Sequence, residues 1–127
     1  MSCFVNTFLV FQVVAARKRY NVQYPNLYAP RGHKYAEAFN CVQRAHQNTL
    51  EQWPIVMVSM FASGFFYPVE AALAGSVWCV GRIVYGIGYA MGRPAYRVPG
   101  SLISHLGDYP LFGMVCYLAY AALRDPE

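Results

Sequence analysis

Four stretches of the chain carry runs of apolar residues, separated by polar and turn-forming residues. A helix needs about 20 residues to cross the hydrocarbon core of a bilayer, rising 1.5 Å per residue. By that measure Trp53 to about Phe66 predicts one spanning helix, closed by Tyr67-Pro68 and Glu70 and extended at its start by the polar residues before Trp53. Ala71 to Met91 predicts a second, interrupted by the single charge of Arg82. Leu102 to Leu123 predicts a third, with His105, Asp108 and Pro110 as its polar or breaking residues. The run from Cys3 to Ala16 is shorter and stops at Arg17-Lys18-Arg19. A secretory signal carries its positive charges before the apolar stretch, and here they follow it. The expectation is a first transmembrane helix that is short, or whose beginning is missing from this chain. The pattern therefore predicts an all-α, integral-membrane four-helix bundle, a single domain over 1–127.

Composition agrees with a membrane setting. Hydrophobic residues make up 57% of the chain and charged ones 13%, about half the charged share of an ordinary soluble domain. Lys and Arg cluster in two connections: Arg17, Lys18, Arg19, Arg31 and Lys34 before the second helix, Arg93 and Arg97 before the fourth. The positive-inside rule then sets both loops on the cytosolic side, and the Tyr67 to Glu70 turn and both termini on the other. This asymmetry accounts for most of the net charge of +4, with no need of a nucleic-acid partner. Cys3, Cys41, Cys79 and Cys116 lack CxxC spacing and are expected to be buried thiols, neither a disulfide framework nor a zinc site.

Candidate chemistry lies in the polar residues of the apolar segments, where ionisable groups carry a heavy cost. Arg82 sits near the middle of its run and should face the bundle interior and meet an anion there. Arg44, Asn48 and Glu51 fall at i, i+4 and i+7, and Arg82, Tyr85 and Tyr89 at i, i+3 and i+7, so each triplet shares a helical face. Each stripe is roughly 10 Å long, comparable with an extended tripeptide. Guanidiniums suit carboxylates, a glutamate suits an ammonium, and Asn or Tyr can hydrogen-bond amides. The plainer alternative is an internal Arg44–Glu51 or Arg82–Glu51 pair that only holds helices together. His46 stands outside any HExxH motif, as a lone His at a helix entrance. His105 and Asp108, at i and i+3, form either a proton pair or an interfacial pair. The glycines of GRIVYGIGYAMG have no strand before them and suit close helix packing better than a dinucleotide loop.

Taken together, ARKRYNVQYPNLY (Ala16 to Tyr28), RAHQNTLE (Arg44 to Glu51) and GRIVYGIGY (Gly81 to Tyr89) resemble the MAPEG family of integral-membrane eicosanoid and glutathione proteins. The likeness runs from about Ala16 to Leu123. FNCVQRAHQNTLE, with an aromatic residue and Pro54 after it, is most similar to the type-three glutathione transferase group. Gln52 follows Glu51 where the leukotriene synthase branch has a tyrosine, and the first helix is shorter than in other members.

The resemblance implies a homotrimer of four-helix protomers in the endoplasmic reticulum or nuclear envelope, with the mitochondrial outer membrane as an alternative. Glutathione would bind as co-substrate between neighbouring subunits near the cytosolic side. Arg44, Asn48, Glu51, Arg82, Tyr85 and Tyr89 would hold it, Arg17 would reach its carboxylate, and His46 occupies a contributing position. Arg97 would correspond to the arginine that stabilises the thiolate, with Arg93 as a nearby competitor. The implied activity is glutathione transfer to a lipid electrophile or reduction of a lipid hydroperoxide, leukotriene C4 synthesis included, with membrane lipid as surroundings. No metal or bound organic cofactor is implied. The runner-up is a non-enzymatic lipid-presenting protein of the lipoxygenase-activating type; a structural membrane subunit is third.

Overall fold

The computed structural model describes residues 1–124. It contains four long helices, α1 (Ser2–Tyr20), α2 (Ala36–Gly64), α3 (Pro68–Ala90) and α4 (Val98–Arg124), with a 3-10 turn at Pro94–Arg97. The all-α expectation is met, and the limits of the helices differ from the apolar runs for local reasons. Helix α1 has 19 residues, because Arg17, Lys18 and Arg19 form its last turn instead of ending it. Cations at that end face the negative pole of the helix dipole. The helix stops at Asn21, whose left-handed backbone (φ 54°) is one that Asn tolerates better than most residues. Helix α2 has 29 residues, about 44 Å at 1.5 Å per residue, so its polar first half is as regular as its apolar second half. Pro54 within it lacks an N–H yet does not divide it. Pro68 opens α3 at a position where the missing N–H costs nothing.

Two segments are long and apolar enough to cross a membrane, Pro68–Ala90 and Pro94–Arg124. The expected span at Trp53 does not qualify, since α2 holds Arg44, His46, Gln47, Asn48, Glu51 and Gln52 ahead of a short apolar end. Helix α1 likewise falls below the measure, with Asn6, Gln12 and three basic residues along it.

Helix α3 is the centre of the bundle and touches all three others, most closely α4. Its inner face sets Ala71, Ala74 and Trp78 against Val5 and Leu9 of α1, Val56 of α2 and Leu111 of α4. A second cluster under the first connection joins Val13, Ala16, Val22, Phe39 and Val42. Large apolar side chains also point outward, among them Phe4, Phe11, Phe61, Leu73, Leu102 and Leu106. Two thiols depart from the expectation of burial: Cys41 and Cys79 lie inside, but Cys3 and Cys116 are on outward helix faces.

Small residues let α3 and α4 approach closely. A Cβ on Gly107 would stand 2.5 Å from the Ala74 carbonyl oxygen and 2.6 Å from the Trp78 nitrogen, and one on Gly81 would strike the Ser104 backbone. Gly107→Leu is expected to cost roughly 1–3 kcal/mol or more by overpacking. Gly113→Leu meets open space and should cost little. Thermal unfolding followed by circular dichroism compares the two, and equal midpoints would contradict this packing.

Candidate functional site

The polar residues gather where the first half of α2 meets the second half of α3. Arg82, one turn below Tyr85 on α3, is only 2% exposed. Its guanidinium crosses to α2, where Nη1 donates to Asn48 Oδ1 at 3.1 Å and Nη2 donates to Gln52 Oε1. The two expected stripes are thus joined through Asn48. The same guanidinium lies 5.0 Å from the Tyr85 ring and 5.5 Å from the Trp78 ring, the arrangement in which an aromatic face attracts a cation. The expected direct anion is not its hydrogen-bond partner. Two amide oxygens accept from it, and Asp108, buried on α4, favours its charge from beyond ion-pair distance. The Arg82–Glu51 pair does not form.

Arg44 and Glu51 pair with each other at 3.7 Å, with side chains 43% and 50% exposed. A bridge this open holds little stability, so both heads remain available to a ligand. At the top of α3, Tyr85 and Tyr89 meet edge to face, centroids 5.4 Å apart. Arg97, exposed at the end of the 3-10 turn before α4, reaches back so that Nη1 donates to the Tyr89 hydroxyl at 2.7 Å, its guanidinium 5.2 Å from that ring. Arg93 instead lies over Tyr96 at 5.9 Å. Of the two competing arginines, Arg97 is the one joined to the tyrosine face. Gly88 allows this return of the chain, since a Cβ there would collide with the Tyr96 carbonyl.

Two expected residues stand outside this cluster. Arg17, in the last turn of α1, is buried against the first connection, donating to the Asn26 carbonyl at 2.9 Å and the Val22 carbonyl at 3.4 Å, with the Tyr24 ring 4.3 Å away. Within one chain it fastens the loop after α1. His46 is half-buried on α2 and joins none of the hydrogen bonds around Arg82 and Arg97.

Two contributors escaped the sequence reading. Gln52 served there only as a branch marker, although it lies four residues beyond Asn48 and extends the same face. Tyr28, in the first connection, donates to Gln47 Oε1 at 2.5 Å and so ties that loop to the polar half of α2. Among the described residues, no three His, Cys, Asp or Glu side chains gather as a metal site.

Residues 1–120 match the MAPEG family. This chain belongs to that family. Its members are membrane-associated and include glutathione-dependent enzymes such as leukotriene C4 synthase. The chain is 29% identical over 96 residues to leukotriene C4 synthase of Bos taurus, which covers 75% of this chain and 60% of that protein. It is 38% identical over 82 residues to an uncharacterized protein of Synechocystis, 64% of this chain and 56% of the other. The aligned parts are therefore a little over half of each relative. In this MAPEG chain the Arg82 crosslink joins α2 to α3, and the Tyr89–Arg97 bond joins α3 to the turn before α4.

Proposed function

We propose that this MAPEG protein is a membrane-bound glutathione transferase and peroxidase, most like the type-three microsomal group, that activates the glutathione thiolate for attack on lipid electrophiles or hydroperoxides. The observation that carries the reading is the Arg97–Tyr89 hydrogen bond of 2.7 Å at the end of a face bearing Arg44, Asn48 and Glu51. Along that face a carboxylate of glutathione has Arg44, an ammonium has Glu51, and its amides have Asn48 and the tyrosines.

Its thiol, with an ordinary pKa near 8.5, is mostly protonated at neutral pH and becomes the nucleophile only as thiolate. A guanidinium close by favours the ionised form. Arg97 then activates the co-substrate and makes no bond to the lipid itself. The electrophile would enter sideways from the bilayer, past the outward apolar faces of α2 and α4. Leukotriene C4 synthesis is one reaction of this class. Arg17 and His46 take part, on this reading, across the contact with a neighbouring copy in a homotrimer; Arg17 is turned away from the Arg82 cluster of its own chain.

Titrating glutathione into the detergent-solubilised protein should give saturable ultraviolet thiolate absorbance at neutral pH. Arg44→Ala is expected to raise the dissociation constant roughly 10- to 150-fold, the loss of one charge-assisted bond of about 1.5–3 kcal/mol. Unfolding should hardly change, because the Arg44–Glu51 bridge is half-exposed. Absence of any thiolate signal from the folded wild-type protein would instead favour the lipid-presenting alternative.

A further inference from the structure

A second polar group is not used by the reading above. On α4, Asp108 is 3% exposed and both its oxygens stand 3.2 Å from His105 Nδ1. The imidazole ring stacks on Tyr109, centroids 4.7 Å apart and nearly parallel, and Ser101 Oγ lies 3.4 Å from Nε2. With Asp108 accepting from Nδ1 and Tyr109 covering one face, the ring is fixed in orientation. The dyad borders a cleft between α2 and α4 of about 280 Å³, whose other walls are Gln52, Ile55, Val56 and Phe112. Gln52 faces both ways, accepting from Arg82 on the glutathione side and lining the cleft on the other. Ile55 and Tyr109 are well exposed, so the cleft opens on the outward surface.

We infer that His105, held by Asp108, is the proton donor to the oxygen that departs from an electrophile seated in the α2–α4 cleft. The inference rests on the glutathione reading above and adds the acid that such a reaction needs. With a hydroperoxide, the thiolate sulfur attacks the outer oxygen, an S–O bond forms and the O–O bond breaks. The electron pair leaves with the inner oxygen as an alkoxide, which takes the Nε2 proton and becomes an alcohol. The sulfur is oxidised to a sulfenic acid, which a second glutathione converts to disulfide and water; the imidazole regains its proton from water. With an epoxide, a C–S bond forms, a C–O bond breaks and the alkoxide takes the same proton.

Several features favour His105 for this step. It is the imidazole of the cleft, with one ring nitrogen held by Asp108 and the other, Nε2, left with only Ser101 beside it. It lies eight residues after Arg97, roughly 12 Å along the chain axis at helical rise. At one end of this stretch Arg97 turns to Tyr89, and at the other His105 borders the cleft. The rest of the cleft is mostly apolar, which suits a lipid tail.

The test compares two electrophiles that differ in their need for a proton. Cumene hydroperoxide releases an alkoxide; chlorodinitrobenzene releases chloride, which needs no acid. His105→Gln and His105→Asn should each lower the ratio of hydroperoxide to aryl chloride turnover about 100-fold, the range of a lost general acid, with the glutathione thiolate absorbance retained. A ratio that stays at the wild-type value, whether both rates fall together or neither falls, overturns the assignment and makes the dyad a structural pair. If the wild-type protein forms no thiolate and turns over neither compound, the glutathione reading itself is overturned, and this step with it.

Discussion

Arg97→Ala is expected to reduce glutathione-dependent turnover by about 100-fold or more, the usual loss when a charge-stabilising donor is removed from a reacting centre. Binding of glutathione should weaken far less, since Arg44, Asn48 and Glu51 stay in place. The residue is exposed and lies at the junction between the 3-10 turn and α4, so its loss leaves the core intact. The Tyr89 hydroxyl loses its hydrogen-bond donor. The expected signature is a fall in kcat with a small change in KM, together with loss of the thiolate absorbance. Arg97→Lys should recover part of the activity, because a point charge remains while the forked geometry is gone. If the alanine variant kept the thiolate signal, Arg97 would be a structural partner of Tyr89 and the activating group would have to be sought elsewhere. Arg93→Ala is the matched control, as its guanidinium lies over Tyr96 and away from the tyrosine face.

Arg82→Met has the second large expected effect, on folding and assembly. This guanidinium is 2% exposed and is the crosslink between α2 and α3. Removing it leaves the Asn48 and Gln52 amides without their donor and takes a positive charge from the surroundings of the buried Asp108. Leaving a buried acceptor without its donor costs about 1–3 kcal/mol each, which for two is a large part of the margin of a small domain. The variant should therefore unfold at a markedly lower temperature or fail to survive extraction into detergent. The double variant Arg82→Met, Asp108→Asn should recover part of the loss, because no uncompensated carboxylate then remains. A double-mutant cycle measures this directly. Strict additivity of the two single changes would mean that Asp108 does not compensate Arg82, and that the hydrogen bonds to α2 carry the whole effect.

These two arginines also mark how far the sequence could be read. Period and spacing were enough to put Arg44, Asn48 and Glu51 on one face and Arg82, Tyr85 and Tyr89 on another, because a helix fixes which residues share a side. Arg82 could be assigned to the interior for the same kind of reason: its run is apolar on both sides, and no helix end is near enough for its head to reach water. Helix limits were less legible. Hydropathy marks where a chain prefers lipid, whereas a helix continues as long as backbone hydrogen bonds do, so α1 and α2 include basic and polar turns that the apolar runs omit.

The sequence by itself determined the helical class, the crowding of charge near one end of the bundle, the candidate residues and the family likeness. These follow from short-range rules of composition and period. Spacing already offered Arg44 with Glu51 and His105 with Asp108 on single helices; only the tertiary structure decided which side chains meet across helices. The crossing of α2 on α3 turned Arg82 toward Asn48 and Gln52 and left Glu51 to the exposed Arg44. The close, glycine-lined packing of α3 on α4 buried Asp108 beside His105 and brought Arg97 back to Tyr89. Partners on different helices depend on the angle and depth at which whole surfaces interlock, and that is set by many side chains at once. No spacing along one helix contains that information.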